Sequence, residues 1–444
     1  MNLAKSIRIS IALALALTMS VSGVAYAAAP TINANAAGRI EGSGATFPVN
    51  QYTRWFSRFT AVNKETTPVT TGTSTKQFSS SDSGNSLVLS YTGVGSSTGI
   101  ANFFGANRRK PTQMFSGTDA LLSSANRTSI QGTDIGTKYS VIPAITGPIS
   151  AAYNVPGLKA SSGAATLKLD GEALCGIYMG TIKKWNDAKI SALNPTITNL
   201  PNANIVVVGR SEGSGTTYIF ASYLAKSSTD AQKKCGYHSN FSSGEANLND
   251  AAGTINPVTT APGTYFSNLR TTNGASAIVG QSGNAGVAGH VKATANSIGY
   301  VESSYVSSYK LQEAVLAAKT LSAGKVVYLK PTTATVKSAL DNAVASEDPI
   351  NPSTSYIQPV FATGANSYPI VGYSWLIIYH EYTNANGLTK GQVQGMIAFL
   401  NWALTTGQTS AELYAGYNPL PAAAATTAIA ELKKIKFDGE LLWP

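Results

Sequence analysis

Cysteine and histidine are scarce: 444 residues hold two of the first and three of the second. His238, His290 and His380 stand apart, and none belongs to an HExxH pair or a similar ligand spacing, so no metal site is expected. Charge is thin, at 12% of residues, and acids are the rarer sign, 22 against 32 basic residues. The basic residues are scattered in short clusters such as Arg108-Arg109-Lys110. A nucleic-acid surface needs a dense basic stripe interleaved with aromatics, so nucleic acid is not an expected partner. Beyond residue 27 no apolar run reaches the ~20 residues of a bilayer span. Solenoid-type repeats are also absent. No GxGxxG fingerprint with a ribose-binding acid stands out, and no cofactor is expected.

What is present begins with a leader. Lys5 and Arg8 precede the apolar core Ile9 to Leu17, and small residues end in Ala25-Tyr26-Ala27. This is the pattern of a secretory signal over residues 1–27. No cysteine follows the core, which argues against a lipid anchor. A periplasmic or secreted protein is expected. With Lys5 and Arg8 set aside, the net charge of +10 falls to about +8, compatible with an anionic ligand. Export places Cys175 and Cys235 in an oxidising compartment. A disulfide across that loop would contribute roughly 4 kcal/mol on the chain-entropy argument; two buried thiols are the alternative.

Along the chain, residues 28–37 read as a flexible lead. Pro48 suits the first turn of a helix, and Tyr52, Trp55, Phe56 and Phe59 then share one helical face. Residues 65–86 and 236–278 are polar, Gly-rich zones expected as exposed insertions. LVLSYTG (87–93) and NIVVVGR (204–210) read as strands, MFSGTDALLSS (114–124) as a short strand with a small-residue turn, NSIGYVESSYV (296–306) as a strand and turn, and 368–380 as a long central strand. A helix is expected through Tyr178, another around Trp185, and one over 216–226. Val393, Met396, Ile397, Leu400 and Leu404 keep helical spacing, and a last helix follows Pro421. Strands alternating with helices argue an α/β fold with mostly parallel sheets.

The stretch VVVGRSEGSGTTYIF (206–220) takes an apolar strand through a Gly/Ser turn into a helix. Three chemistries fit such a turn. Gly209-Arg210-Ser211-Glu212-Gly213 matches the G-x-S-x-G nucleophile elbow, with Ser211 as nucleophile and His290 or His380 as base. No HGGG-type oxyanion loop lies upstream to complete it. A nucleotide loop needs a Lys after its last Gly, and Gly215 is followed by Thr216 and Thr217. The third is an anion nest. Ser214, Gly215 and Thr216 open a helix whose free N–H groups and dipole favour negative charge. Arg210 adds a planar fork for two oxygens, and Glu212 can hold that fork in place. An ordinary N-cap beside a surface Arg would look the same. The device recurs before other helices, at Thr46-Phe47 and at Ser96-Ser97. Asp119 in SGTDA would then repel any anion that cannot place a proton between them. Phosphate carries that proton and sulfate does not.

The ordered stretches GSGATFP, YTGVGSSTGI, SGTDALLS, LDGEALCGIYMGTIKKWNDAKISALNP, GRSEGSGTT, GNAGVAGHV, SIGYVE and YNPLP span Gly42 to Pro421. Together they resemble the phosphate-binding proteins of bacterial phosphate ABC transporters, a family that includes the secreted DING-type proteins. The resemblance implies a two-lobed periplasmic binding-protein fold (type II) that closes on inorganic phosphate. It implies ligand contacts from Thr46, Phe47 (through its backbone N–H), Ser96, Asp119, Arg210, Ser214, Gly215 and Thr216, supported by Glu212. It also implies a discontinuous first lobe, 38–144 with 368–444, and a second lobe, 145–367. Expected partners are phosphate and a phosphate permease, with the chain itself a monomer. A secreted phosphomonoesterase on the same fold is the alternative. The chain departs from the family pattern in three places. Glu212 stands where an Asp is expected, the insertions at 65–86 and 236–278 are large, and Ala-Gly-Arg-Ile-Glu-Gly (37–42) replaces the DING start.

Overall fold

The computed structural model describes residues 38–62, 69–70, 75–82, 85–103, 113–120, 139–163, 165–227, 270–347 and 355–443. The leader, the 28–37 lead, His238, Cys235 and most of the 236–278 zone lie outside them. An 11-stranded sheet organises the molecule. Its strands are β1 (Gly38–Gly44), β2 (Val69–Thr70), β3 (Thr75–Asp82), β4 (Asn85–Gly93), β5 (Gln113–Thr118) and β6 (Tyr139–Asn154). They continue with β7 (Val206–Arg210), β8 (Val279–Gln281), β9 (Ser297–Glu302), β10 (Gln312–Glu313) and β11 (Val371–Tyr379). The spatial order is β2-β3-β4-β1-β5-β11-β6-β9-β7-β8, with β10 on β6.

The sheet is mixed, and where it is parallel matters. β1 runs parallel to β4 and β5, and β7 runs parallel to β8 and β9. Between these two parallel groups lie β6 and β11, antiparallel to each other. The 16-residue β6 serves both groups. Tyr139–Pro148 pairs with β11, and Ile149–Asn154 pairs with β9. The residues Ile142–Tyr153 of β6 are buried throughout, which explains an apolar run with no polar alternation.

The expected insertion at 65–86 is not simply loop. β2 and β3 extend the sheet past β4, with Thr75–Asp82 antiparallel to Asn85–Thr92. A Thr- and Ser-rich stretch can form a strand as well as a turn, so composition alone did not separate them. Trp185 also falls elsewhere than expected. It precedes a short helix at Ala188–Leu193 whose N-cap is Asp187. Its indole is fully buried and donates to Asn296 O at 3.1 Å. The apolar signal was that of a buried loop anchor, and the Asp cap set the helix start beyond it.

Helices pack against the sheet. In α1 (Val49–Val62), Tyr52, Trp55, Phe56 and Phe59 are all buried, as their spacing predicts. Phe56 and Phe59 meet Phe399 of α8 (Lys390–Leu404) with ring centroids 5.2 and 5.4 Å apart. The capping box of Thr389 and Gln392 opens α8. Cys175 lies on α3 (Gly171–Met179) and is disulfide-bonded; its expected partner Cys235 falls outside the described residues. The remaining site-bearing helices are α2 (Ser96–Phe103), α5 (Gly215–Ser227), α6 (Gly283–Ala293) and α7 (Ser303–Tyr309), α4 being the short one after Trp185. Among the described residues no helix is long and apolar enough to cross a membrane.

Candidate functional site

Parallel strands send their C-terminal ends to one edge of a sheet, and loops there gather around ligands. β1 ends at Gly44 and leads through Thr46-Phe47 into α1; β4 ends at Gly93 and leads into α2; β5 ends beside Asp119; β7 leads through Ser214 into α5. Gly44 is required at its turn. Its φ is +147°, and a Cβ there would lie 2.0 Å from Gly117 O, so β1 and β5 can approach this closely at the mouth of the site only with glycine at 44.

The three helix starts converge. Ser96 Oγ accepts from Gly215 N at 3.2 Å and from Asp119 N at 3.4 Å. One hydroxyl therefore joins the first turns of α2 and α5 to the end of β5. Ser214 Oγ caps α5 by accepting from Thr217 N at 3.2 Å. Thr46, Phe47, Ser96, Asp119, Arg210, Ser214 and Thr216 are all buried.

Asp119 is the acidic centre of this group. Its Oδ1 accepts from Ser374 Oγ at 2.8 Å and its Oδ2 from Thr216 Oγ1 at 3.3 Å. Burial pushes its pKa up to about 7; the hydrogen bonds from Ser374 and Thr216 and the charge of Arg210 pull the other way without overcoming it. Arg210 is 1% exposed. Its Nε donates to Glu212 Oε1 at 2.9 Å, Nη2 reaches the same oxygen, and Nη1 is buried with no hydrogen-bond partner among the described residues. Glu212 thus holds the fork by one edge and leaves a donor over. The same Glu212 oxygen accepts Gly283 N at 3.0 Å, tying the Arg pair to the first turn of α6. A buried guanidinium, hydroxyls, helix N-termini and one proton-accepting carboxyl make a receptor for a protonated oxyanion.

The nucleophile reading finds no partner geometry. Ser211 Oγ is bonded to Glu212 Oε2 at 3.4 Å. His290 is engaged with Gln281 at 3.3 Å, and His380 with Ser140 at 2.6 Å. Neither imidazole is bonded to Ser211. Among the described residues no group of three or more His, Cys, Asp or Glu could hold a metal.

Four participants escaped the sequence. Asn284 donates to both Thr46 and Thr216. Ser374 is the Asp119 partner. Tyr300 OH contacts Thr217 Oγ1 at 2.5 Å and accepts from Arg210 N at 3.3 Å. Tyr305 OH donates to Thr46 O at 3.1 Å. The lone Ser in the apolar run VGYSWLIIY was the readable signal for one of them.

The sequence matches a family model described as a PBP superfamily domain over residues 29–406. The chain is 34% identical over 299 residues to the phosphate-binding protein PstS of Methanocaldococcus jannaschii, covering 66% of this chain and 67% of that one. The chain belongs to the phosphate-binding protein family. The PstS of Haemophilus influenzae is 29% identical over 400 residues, covering 89% of this chain and 93% of that one. Among solved structures, a human phosphate-binding apolipoprotein shares the fold with a TM-score of 0.57 at 21% identity, covering 88% of this chain and 93% of that chain. PfluDING, a high-affinity periplasmic phosphate-binding protein, aligns with a TM-score of 0.57 at 22% identity and the same coverages. The fold is therefore the two-lobed binding-protein fold. In this chain Glu212 reaches both Arg210 and the Gly283 N–H.

Proposed function

We propose that this chain binds inorganic phosphate in a cleft between two lobes, without chemistry of its own. The observation that carries the reading is Asp119, a buried carboxyl among donors, beside the partly unpartnered guanidinium of Arg210. An oxyanion bearing a proton satisfies both; one without a proton leaves two charges opposed. Thr46, Phe47 (by its N–H), Ser96, Arg210, Ser214, Gly215 and Thr216 (by its backbone N–H) supply donors, and Glu212 fixes Arg210.

The lobes are taken as 38–144 with 368–444, and 145–367. The shared strand β6 changes partner between Pro148 and Ile149, which supports a hinge near these boundaries. Contacts between Thr46 and Asn284 and between Ser96 and Gly215 join the lobes on this division. The leader at 1–27 supports export to the periplasm or beyond. The names of the relatives support phosphate as the ligand; on this reading the chain delivers it as a monomer to a phosphate ABC transporter, with extracellular scavenging as the other use. A phosphomonoesterase on this fold receives no support from the relatives and lacks a Ser–His pair at Ser211.

Equilibrium dialysis with labelled phosphate, run beside turnover of a chromogenic phosphate ester, tests the reading. Saturable binding without turnover supports it; turnover lost in Ser211→Ala protein would replace it with the esterase.

A further inference from the structure

Asn284 has no assigned role, yet it touches the site from both sides. Its side chain is fully buried in the first turn of α6. Its Oδ1 accepts from Glu302 N at 3.0 Å. A backbone N–H can only donate, so the amide has one orientation and Nδ2 faces the other way. Nδ2 donates to Thr46 Oγ1 at 3.0 Å and to Thr216 Oγ1 at 3.2 Å. The Asn284 backbone N donates to Thr46 Oγ1 as well, at 3.2 Å.

A hydroxyl has one proton and two acceptor positions. At Thr46 both acceptor positions are filled by Asn284, so the hydroxyl proton must be given away. At Thr216 one acceptor position is filled, and its proton goes to Asp119 Oδ2 at 3.3 Å. An amide reversed in orientation, or a carboxylate in its place, would invite both hydroxyls to point at residue 284 instead.

We infer that Asn284 is a positioning residue that sets the direction of the Thr46 and Thr216 hydroxyls, making Thr46 a donor toward bound phosphate and Thr216 a donor to Asp119. The assignment rests on the phosphate-binding reading. It also links closure to polarity, because Thr46 meets Asn284 only when the two lobes come together.

Mutant-cycle calorimetry with inorganic phosphate tests it, on the unaltered mature chain, Asn284→Ala, Thr46→Val and the double variant. Asn284→Ala is expected to weaken binding by about tenfold to a hundredfold, as two or three directed hydrogen bonds are lost. In the Thr46→Val background the same replacement is expected to cost at least threefold less, on the order of one such bond. Equal losses in both backgrounds would overturn the assignment and leave Asn284 a structural part of α6. Should Asn284→Ala fail to fold, Asn284→Ser takes its place in the same cycle. No phosphate binding by the unaltered chain would overturn the functional reading and this assignment with it.

Discussion

Gly215 lies directly against Asp119: a Cβ at 215 would fall 2.6 Å from the Asp119 Cβ and 2.7 Å from its N. The first turn of α5 can approach the end of β5 this closely only because residue 215 has no side chain. The same approach lets Gly215 N reach Ser96 Oγ and Thr216 reach Asp119. Gly215→Ala should therefore weaken phosphate binding by roughly fivefold to a hundredfold, since relieving such overpacking costs ~1–3 kcal/mol. The melting temperature without phosphate should change far less, because lobes held apart have no clash. A large ligand-free melting loss with unaltered affinity would contradict this.

Arg210→Ala leaves Glu212 without its cation at the centre of the site. Affinity should fall by roughly two to four orders of magnitude, the range for removing one partner of a buried charged pair. Titration of phosphate into the purified variant measures it, and an affinity within a few-fold of the unaltered chain would place the site elsewhere.

Much of the scaffold was legible because its signals are local. Tyr52, Trp55, Phe56 and Phe59 announce α1 through spacing alone, and Pro48 marks its start. The Gly/Ser turn at 209–216 announced a strand-to-helix crossing, and the structure has one there. What was hidden depends on partners distant in sequence. Asn284 matters only because Thr46 and Thr216 meet it, 238 and 68 residues away. Ser374 bonds Asp119 across 255 residues. The mixed sheet was hidden for the same reason: strand direction is settled by which neighbour β6 and β11 find, and an apolar run carries no direction. Trp185 misled because a buried aromatic reads alike in a helix and in a loop anchor.

Asp119 makes selectivity pH-dependent. Its pKa is raised to about 7 by burial, so below that pH the carboxyl carries a proton and becomes a donor. Sulfate, which needs a donor there, should compete progressively better as pH falls from 8 to 5.5. Asp119→Asn should show that relaxed discrimination at every pH. Competition titrations of phosphate against sulfate across the range check both, and selectivity that ignores pH and the substitution alike would remove Asp119 from the mechanism.

Glu302 gives a second pH dependence, this one of stability. It is fully buried, and burial pushes its pKa up to about 8 against the bonds from Ser304 and with a further push from Asp119. A carboxyl whose native pKa is raised binds protons more tightly folded than unfolded. Its contribution is fully present below the ordinary carboxyl range and is lost as pH rises through about 8. The phosphate-free protein should melt at lower temperature as pH rises from 5 to 8, and Glu302→Gln should flatten that slope. Thermal scans in phosphate-free buffers decide it; a melting temperature rising over this window would show that other groups dominate.

A buried carboxyl and an anchored guanidinium together select protonated phosphate. Calorimetric titration of phosphate into ligand-stripped mature chain, in a large excess of sulfate near pH 8, tests it most directly. Tight one-to-one binding that sulfate does not displace is the predicted result. Absence of heat, or binding abolished by sulfate, would contradict it.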